Sequence, residues 1–352
     1  ILSFEYDSDR GWPVAADGAG HSMVPLNPEV QPEGSLDYGG NWRASTRLGG
    51  SPGSADPAFI PSVMLNEFMA NTSLADPAYP DYDSNDWIEL HNVSASSVSL
   101  NNWYLSDDAV DLKKWAIPTT ITIPAGSFIS FDEITGFHNP IMGGFGIDQT
   151  GERLFLSYLP GTAVDRVVDA VRFKGQESGV SLGRFPDSGT WWYAMSPSRG
   201  LPNTIPHERV VISEIMFHPA DGSNVNEYVE LYNPTSSTVE LWNTAGTWRL
   251  DGGIEFPFPA STTIPPGGRL LFVNFDPNDS AALTAFTAYY GIASLGAPVL
   301  GPFSRNLSNK GERVAVERPL PPDLPGDWPA WVIVDEAIYF DRAPWTDQAD
   351  GS

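Results

Sequence analysis

Short stretches of alternating apolar and polar residues, about 4–8 long, run through the whole chain and are punctuated by Gly and Pro. Trp87-Ile88-Glu89-Leu90, Arg153-Leu154-Phe155-Leu156 and Arg313-Val314-Ala315-Val316 are typical, and residues 128–131 and 270–273 read the same way. Alternation with period two puts one set of side chains on a buried face and the other on the opposite face of a strand. Many such strands separated by turn residues predict an all-β sandwich or barrel. One stretch departs from the pattern. Residues 280–290 are rich in Ala, follow Pro277-Asn278-Asp279 and end before Gly291, which predicts a single short helix with a capped start and a glycine stop.

The strand pattern occurs twice. Val63-Met64-Leu65-Asn66-Glu67-Phe68-Met69 followed by Trp87-Ile88-Glu89-Leu90-His91-Asn92 returns as Val211-Ile212-Ser213-Glu214-Ile215-Met216 followed by Tyr228-Val229-Glu230-Leu231-Tyr232-Asn233. The matching glutamates lie 147 and 141 residues apart, a domain-sized period. Solenoid repeats are far shorter, about 20–50 residues. The helix has no counterpart in the first copy, so it is an insertion in the second. Joints rich in Gly, Pro and Ser at 49–57 and 196–203 suggest segments at 1–56, 57–204 and 205–352. Trp12 followed by Asp17-Gly18 matches Trp345 followed by Asp350-Gly351. After its copy of this motif, the N-terminal segment continues through Gly20-His21-Ser22 to Asn41-Trp42-Arg43. The first full copy carries the equivalent at residues 179–184 and 191–192. Residues 1–56 therefore read as the last part of a preceding copy or as a strand donor, and the last copy stops before its own final strand. The open end would be completed by the continuation of a longer array, by strand addition from a neighbouring molecule in a head-to-tail fibre, or by the N-terminal segment folding back.

Charge and composition narrow the function. Lys+Arg number 19 against 44 Asp+Glu, a net charge of −25. Such a field disfavours nucleic acid and anionic membrane surfaces and attracts divalent cations. Cysteine is absent, which excludes disulfides, zinc–thiolate sites and a cysteine nucleophile. No apolar run reaches the about 20 residues of a membrane helix. No secretory leader is present, so export would require that it has been removed or that the chain is cut from a longer one.

The ordered motifs resemble the lamin tail domain. The two opening strands above are followed by Val98-Ser99-Leu100 with Trp103-Tyr104-Leu105, and by Val239-Glu240-Leu241 with Trp248-Arg249-Leu250. Then come an Ile-Pro or Phe-Pro element with a Pro-x-Gly turn, at residues 117–126 and 258–267, and Gly-Glu-Arg at 151–153 and 311–313. Val168-Asp169 and Val334-Asp335 close the series. The resemblance implies tandem immunoglobulin-like β-sandwiches. Asp251-Gly252-Gly253 and Asp341-Arg342-Ala343-Pro344-Trp345 resemble exported bacterial versions, where the domain accompanies secreted hydrolases and kinase-like modules. There is no coiled-coil rod and no basic patch, so nuclear roles are not carried over. The resemblance implies a non-catalytic structural or adhesive repeat region at a bacterial surface or in an extracellular assembly. The alternative is an accessory module that binds polysaccharide or cell wall for a larger hydrolase or kinase-like protein. The expected partners are protein, through self-association or neighbouring domains of the array, or else polysaccharide.

Candidate chemistry is sparse. His21, His91, His138, His207 and His218 show no ligand spacing, and no nucleophile elbow or phosphate loop occurs. No cofactor is required by any motif. The metal candidate is a calcium-type alternation of oxygen ligands at Asp81, Asp83 and Asn85, with Asp86 where a glycine would stand. A weaker acidic group is Asp7, Asp9 and Asp17, repeated at Asp341 and Asp350. Trp87, Trp103, Tyr228 and Trp248 are expected in the cores. Glu89 and Glu230 should point away from them, toward solvent or an arginine such as Arg153 or Arg313.

Overall fold

The computed structural model describes residues 6, 8, 10–27, 35–139, 141, 143–321, 329–342 and 345. The chain divides into two compact units, residues 1–207 and 208–352. Each is a mainly antiparallel β-sandwich with its own apolar core.

In the first unit one sheet runs, in spatial order, Trp192–Met195, Ser181–Arg184, Val63–Met69, Trp87–Asn92 and Phe128–Asp132. The facing sheet runs Arg166–Arg172, Arg153–Tyr158, Trp103–Ser106 and Trp115–Ala116. Alternation decides what fills the space between them. Leu154 and Leu156 point inward to meet Leu65, Ile88, Leu90 and Leu105, all buried. Phe155 points the other way and is still 0% exposed, because Ala15, Ala19 and Ala109 cover it. The segment that precedes the first sandwich is thus packed on that sandwich's outer face.

In the second unit one sheet is Val211–Met216, Tyr228–Tyr232, Arg269–Val273 and Val299–Leu300, the last pair parallel. The other is Phe256–Pro257, Arg249–Gly252, Gly311–Leu320 and Ala330–Phe340. The expected helix is present as Ser280–Tyr289. Asp279 caps it, its side chain accepting from the N–H groups of Ala281 and Ala282, and Gly291 follows at φ +65°. Phe286 anchors it against Tyr228, Leu271 and Val273 on the outer face of the first sheet.

Two sequence motifs acquire reasons from the fold. Asn92 Nδ2 donates to the carbonyls of Ser96, Ile123 and Pro124, and Asn233 Nδ2 donates to those of Ser237, Ile264 and Pro265. One buried amide therefore ties a strand end to two loops in each copy. The glycines of Gly-Glu-Arg lie at φ +112° (Gly151) and +120° (Gly311), conformations that side chains disfavour. A Cβ on Gly311 would also sit 2.6 Å from the carbonyl oxygen of Tyr339. The glutamates that follow accept the N–H of Asp148 and of Ser308, both at 2.7 Å.

Trp87, Trp103, Tyr228 and Trp248 are buried as expected. Both glutamates lie on the face opposite the core, as alternation put them, but their partners differ from those expected. Glu89 is 0% exposed and its partners are Asn66 and the Gly200 N–H, not an arginine. Glu230 pairs with Arg269 at 2.9 Å rather than Arg313. Arg153 instead bonds Asp17 at 3.0 Å. Arg313 bonds Asp251, Glu317 and Glu336.

Candidate interaction site

The side chains with the most elaborate polar surroundings lie on the opening strand of each unit. The strands share a defect, a β-bulge between Leu65 and Glu67 in one and between Ile212 and Glu214 in the other. The extra residue bends the strand and turns Asn66 or Ser213, with the neighbouring glutamate, onto the outer surface.

In the first unit that surface is covered. Ser181–Arg184 pairs alongside, with Leu182 opposite Phe68 and Gly183 opposite Glu67. Residues 196–203, which read as a linker, fold back as a strap over the sheet. Their backbone N–H groups, exposed by the Pro/Gly composition, find carboxylates. Ser198 donates from N at 3.0 Å and from Oγ at 2.9 Å to Glu67, and Gly200 N donates to Glu89. Asn203 Nδ2 donates to the carbonyls of Asn66 and Arg184. As a result Asn66 and Glu67 are 0% and 1% exposed. Burial pushes the Glu89 carboxyl up to about 7, hydrogen bonds from the Gly200 N–H of the strap and from Asn66 pull against that shift, and nearby Glu67 and Asp187 add to it. Burial also raises Glu67. These acids are buried and serve as acceptors for the strap.

The covering hairpin is fixed by one buried ion pair. Arg184 reaches Asp169 at 2.9 Å, with the two side chains 6% and 10% exposed, and donates to the Leu65 carbonyl at 2.9 Å. Asp169 also accepts the Leu65 N–H at 3.0 Å. Arg184 stacks over Trp192, whose ring meets Phe68 edge-on at 5.4 Å.

In the second unit no strand among the described residues pairs along the same edge. Val211–Met216 is the edge strand of its sheet, and Ser213 and Glu214 are exposed. Asp335 holds the place of Asp169 and accepts the Ile212 N–H at 2.7 Å. Among the described residues no cation pairs with it. Its carboxyl is raised by burial and by the adjacent Glu336. The core is closed differently. Phe217, at the position of Ala70, is buried and stacks on Tyr339 at 4.6 Å.

The N-terminal segment carries a hairpin of its own, Met23–Pro25 with Trp42–Ala44. Its register matches the covering hairpin: Met23 lies opposite Ala44 as Leu182 lies opposite Ala194, and Pro25 opposite Trp42 as Arg184 lies opposite Trp192. It is held to the first sandwich by polar contacts at specific points. Asp17 bridges Arg153 and Arg172, His21 Nε2 accepts the Val167 N–H at 2.9 Å, and Leu48 N donates to the Asp165 carbonyl at 3.0 Å. The joint after it is pinned too, because Asp56 accepts the Thr46 N–H and pairs with Arg43 at 3.2 Å.

The calcium-type residues differ in their surroundings. Asp81 and Asp83 are exposed, whereas Asp86 is buried and accepts from Thr72 N at 3.1 Å and Thr72 Oγ1 at 2.6 Å. Burial brings the Asp86 carboxyl up to about 7. Asn85 N donates to Thr72 Oγ1 at 2.8 Å, and Asn85 Oδ1 accepts from Ile134 N. Of the weaker acidic group, Asp7, Asp9 and Asp350 lie outside the described residues. Among the described residues no three His, Cys, Asp or Glu side chains converge as a metal site, and no helix is long and apolar enough to cross a membrane.

Sequence comparison matches this architecture twice. Residues 58–169 and 203–315 each match the Lamin Tail Domain family. The chain belongs to the lamin tail domain family. It is a tandem member, and the fold is the immunoglobulin-like sandwich of that family, which is generally non-catalytic. No curated protein matches the chain. Among solved structures it is similar to a DUF4876 family protein from Bacteroides thetaiotaomicron, at 9% identity and a TM-score of 0.27, covering 61% of this chain and 72% of that one. The lamin-tail motifs flagged the glutamates, the Asn92 and Asn233 positions and Asp169 with Asp335. The strap and Arg184 were missed as functional parts, and the signal for them was the short repeat at 179–184.

Proposed function

We propose that this tandem lamin-tail chain is a non-catalytic structural or adhesive repeat region of an exported bacterial surface or extracellular-assembly protein. The observation that carries the reading is the packing of one hairpin module on the outer face of the sandwich that follows it. The contacts from Asp17 to Arg153 and Arg172, and from His21 to Val167, fix one geometry between successive pieces, as a spacer or scaffold array requires. The acidic surface suits an exposed array that must stay soluble while its partners approach by shape. The acids that are buried together are occupied by backbone donors, which favours structural over catalytic use.

The test is antibody labelling of intact bacterial cells that make the protein, combined with protease shaving. Surface label that is lost on shaving is expected. Label seen only after lysis overturns the reading. Binding of the purified protein to cell-wall polysaccharide, with no association between protein molecules at any concentration, would instead assign it to the accessory-module role.

A further inference from the structure

The two units of one chain present the same sheet edge, covered in the first and, among the described residues, unpaired in the second. The bulge, the aspartate beneath it and the aspartate's bond to the strand N–H recur in both. What differs is the cover. In the first unit an arginine at the end of Ser181–Arg184 neutralises Asp169, and the strap supplies N–H groups to Glu67 and Glu89. In the second, Asp335 has the same place and no cation among the described residues. Glu214, bonded by Tyr228 Oη at 2.6 Å, is exposed, and among the described residues the side chain of Glu230 is held by Ser213 and Arg269. Beneath this edge Phe217 is buried and stacks on Tyr339.

We propose that the edge Val211–Met216 docks, by antiparallel strand addition, the closing hairpin of a lamin-tail-type domain, built like residues 181–203, whose arginine pairs with Asp335 and whose strap donates N–H groups to Glu214 and Glu230. Strand addition supplies affinity through main-chain hydrogen bonds, and the arginine supplies selectivity. Charge decides between hairpins. The N-terminal hairpin of a second copy has the right register but carries Pro25 where Arg184 stands, so it brings neither the cation nor a backbone donor at that point. The proposal rests on the second unit's own geometry and holds wherever the array resides.

The probe is a fluorescent synthetic peptide of residues 179–204, titrated into the full 352-residue chain. Anisotropy gives affinity, and amide hydrogen exchange gives location. Saturable binding with new protection at 211–216 is expected. A peptide carrying Arg184→Gln should bind about tenfold more weakly or worse, as should the normal peptide to Asp335→Asn protein. The peptide variant cannot be confounded by misfolding of the protein. Equal affinity of the two peptides overturns the proposal, as does protection confined to the first unit. Preferential binding of a peptide of residues 19–57, with concentration-dependent association of the protein, also overturns it and assigns the edge to a second copy.

Discussion

Replacing Arg184 with Met should remove the one cation that, among the described residues, pairs with Asp169. Asp169 is 10% exposed, sits between two sheets and keeps its bond to the Leu65 N–H. Breaking a buried ion pair from one side costs about 3–5 kcal/mol, because the remaining charge is desolvated and uncompensated. The Leu65 carbonyl and the Gly189 carbonyl, which Arg184 holds at 2.9 and 2.6 Å, lose a donor as well. Burial already raises the Asp169 carboxyl and Arg184 opposes it, so removing Arg184 raises it further. A carboxyl raised in the folded state takes up its proton there first. Its penalty is therefore largest well above the folded value and fades as pH falls through it. The loss should be smaller at pH 5 than at pH 8. Adding Asp169→Asn to the Arg184→Met variant should restore most of it, since no buried charge is left. Urea unfolding followed by hydrogen exchange reads both units at once, with strand 63–69 reporting the first and 311–320 the second. Destabilisation confined to the first unit is expected. A loss that is the same at both pH values, or no recovery in the double variant, would refute the reasoning.

Asn233→Ala should destabilise the second unit by about 2–3 kcal/mol, because three carbonyls lose their shared donor; chemical denaturation measures it, and a neutral result would mean water replaces the amide. Burial lifts Glu152 to about 8 while its Oε1 accepts the Asp148 N–H. With the folded value above the unfolded one, the penalty is absent below the unfolded value and grows as pH rises toward about 8, so Glu152→Gln should raise the thermal midpoint most at pH 8.5 and progressively less as pH falls toward the ordinary carboxylate range. Phe217→Ala should cost about 3–5 kcal/mol in the second unit only, by opening a cavity against Tyr339. Calcium should leave the thermal midpoint in place, since Asp86 is committed to Thr72 while Asp81 and Asp83 face solvent; a midpoint that rises with calcium and falls with chelator would show that the loop rearranges to bind it.

The sequence by itself determined the β-sandwich class, the two copies, the helix at 280–290 and the core aromatics. These follow from local rules: the period of apolar residues, a capping aspartate and the repetition of whole motifs. Alternation even placed Phe155 and Glu89 on the face opposite the core. What it could not say is what lies over that face. Whether an outward side chain meets water or protein depends on segments far away in sequence, the Ala15 and Ala19 stretch for Phe155 and the strap at 196–203 for Glu89. The same holds for Arg184, 15 residues from Asp169 along the chain and joined to it only when the hairpin crosses to Val63–Met69. The tertiary structure decided how the opening strand of the first unit is sealed, by a hairpin and a strap from further along the chain. Hydrogen bonds and ion pairs between distant strands carry no periodic trace in the sequence, because each needs only one correctly placed partner.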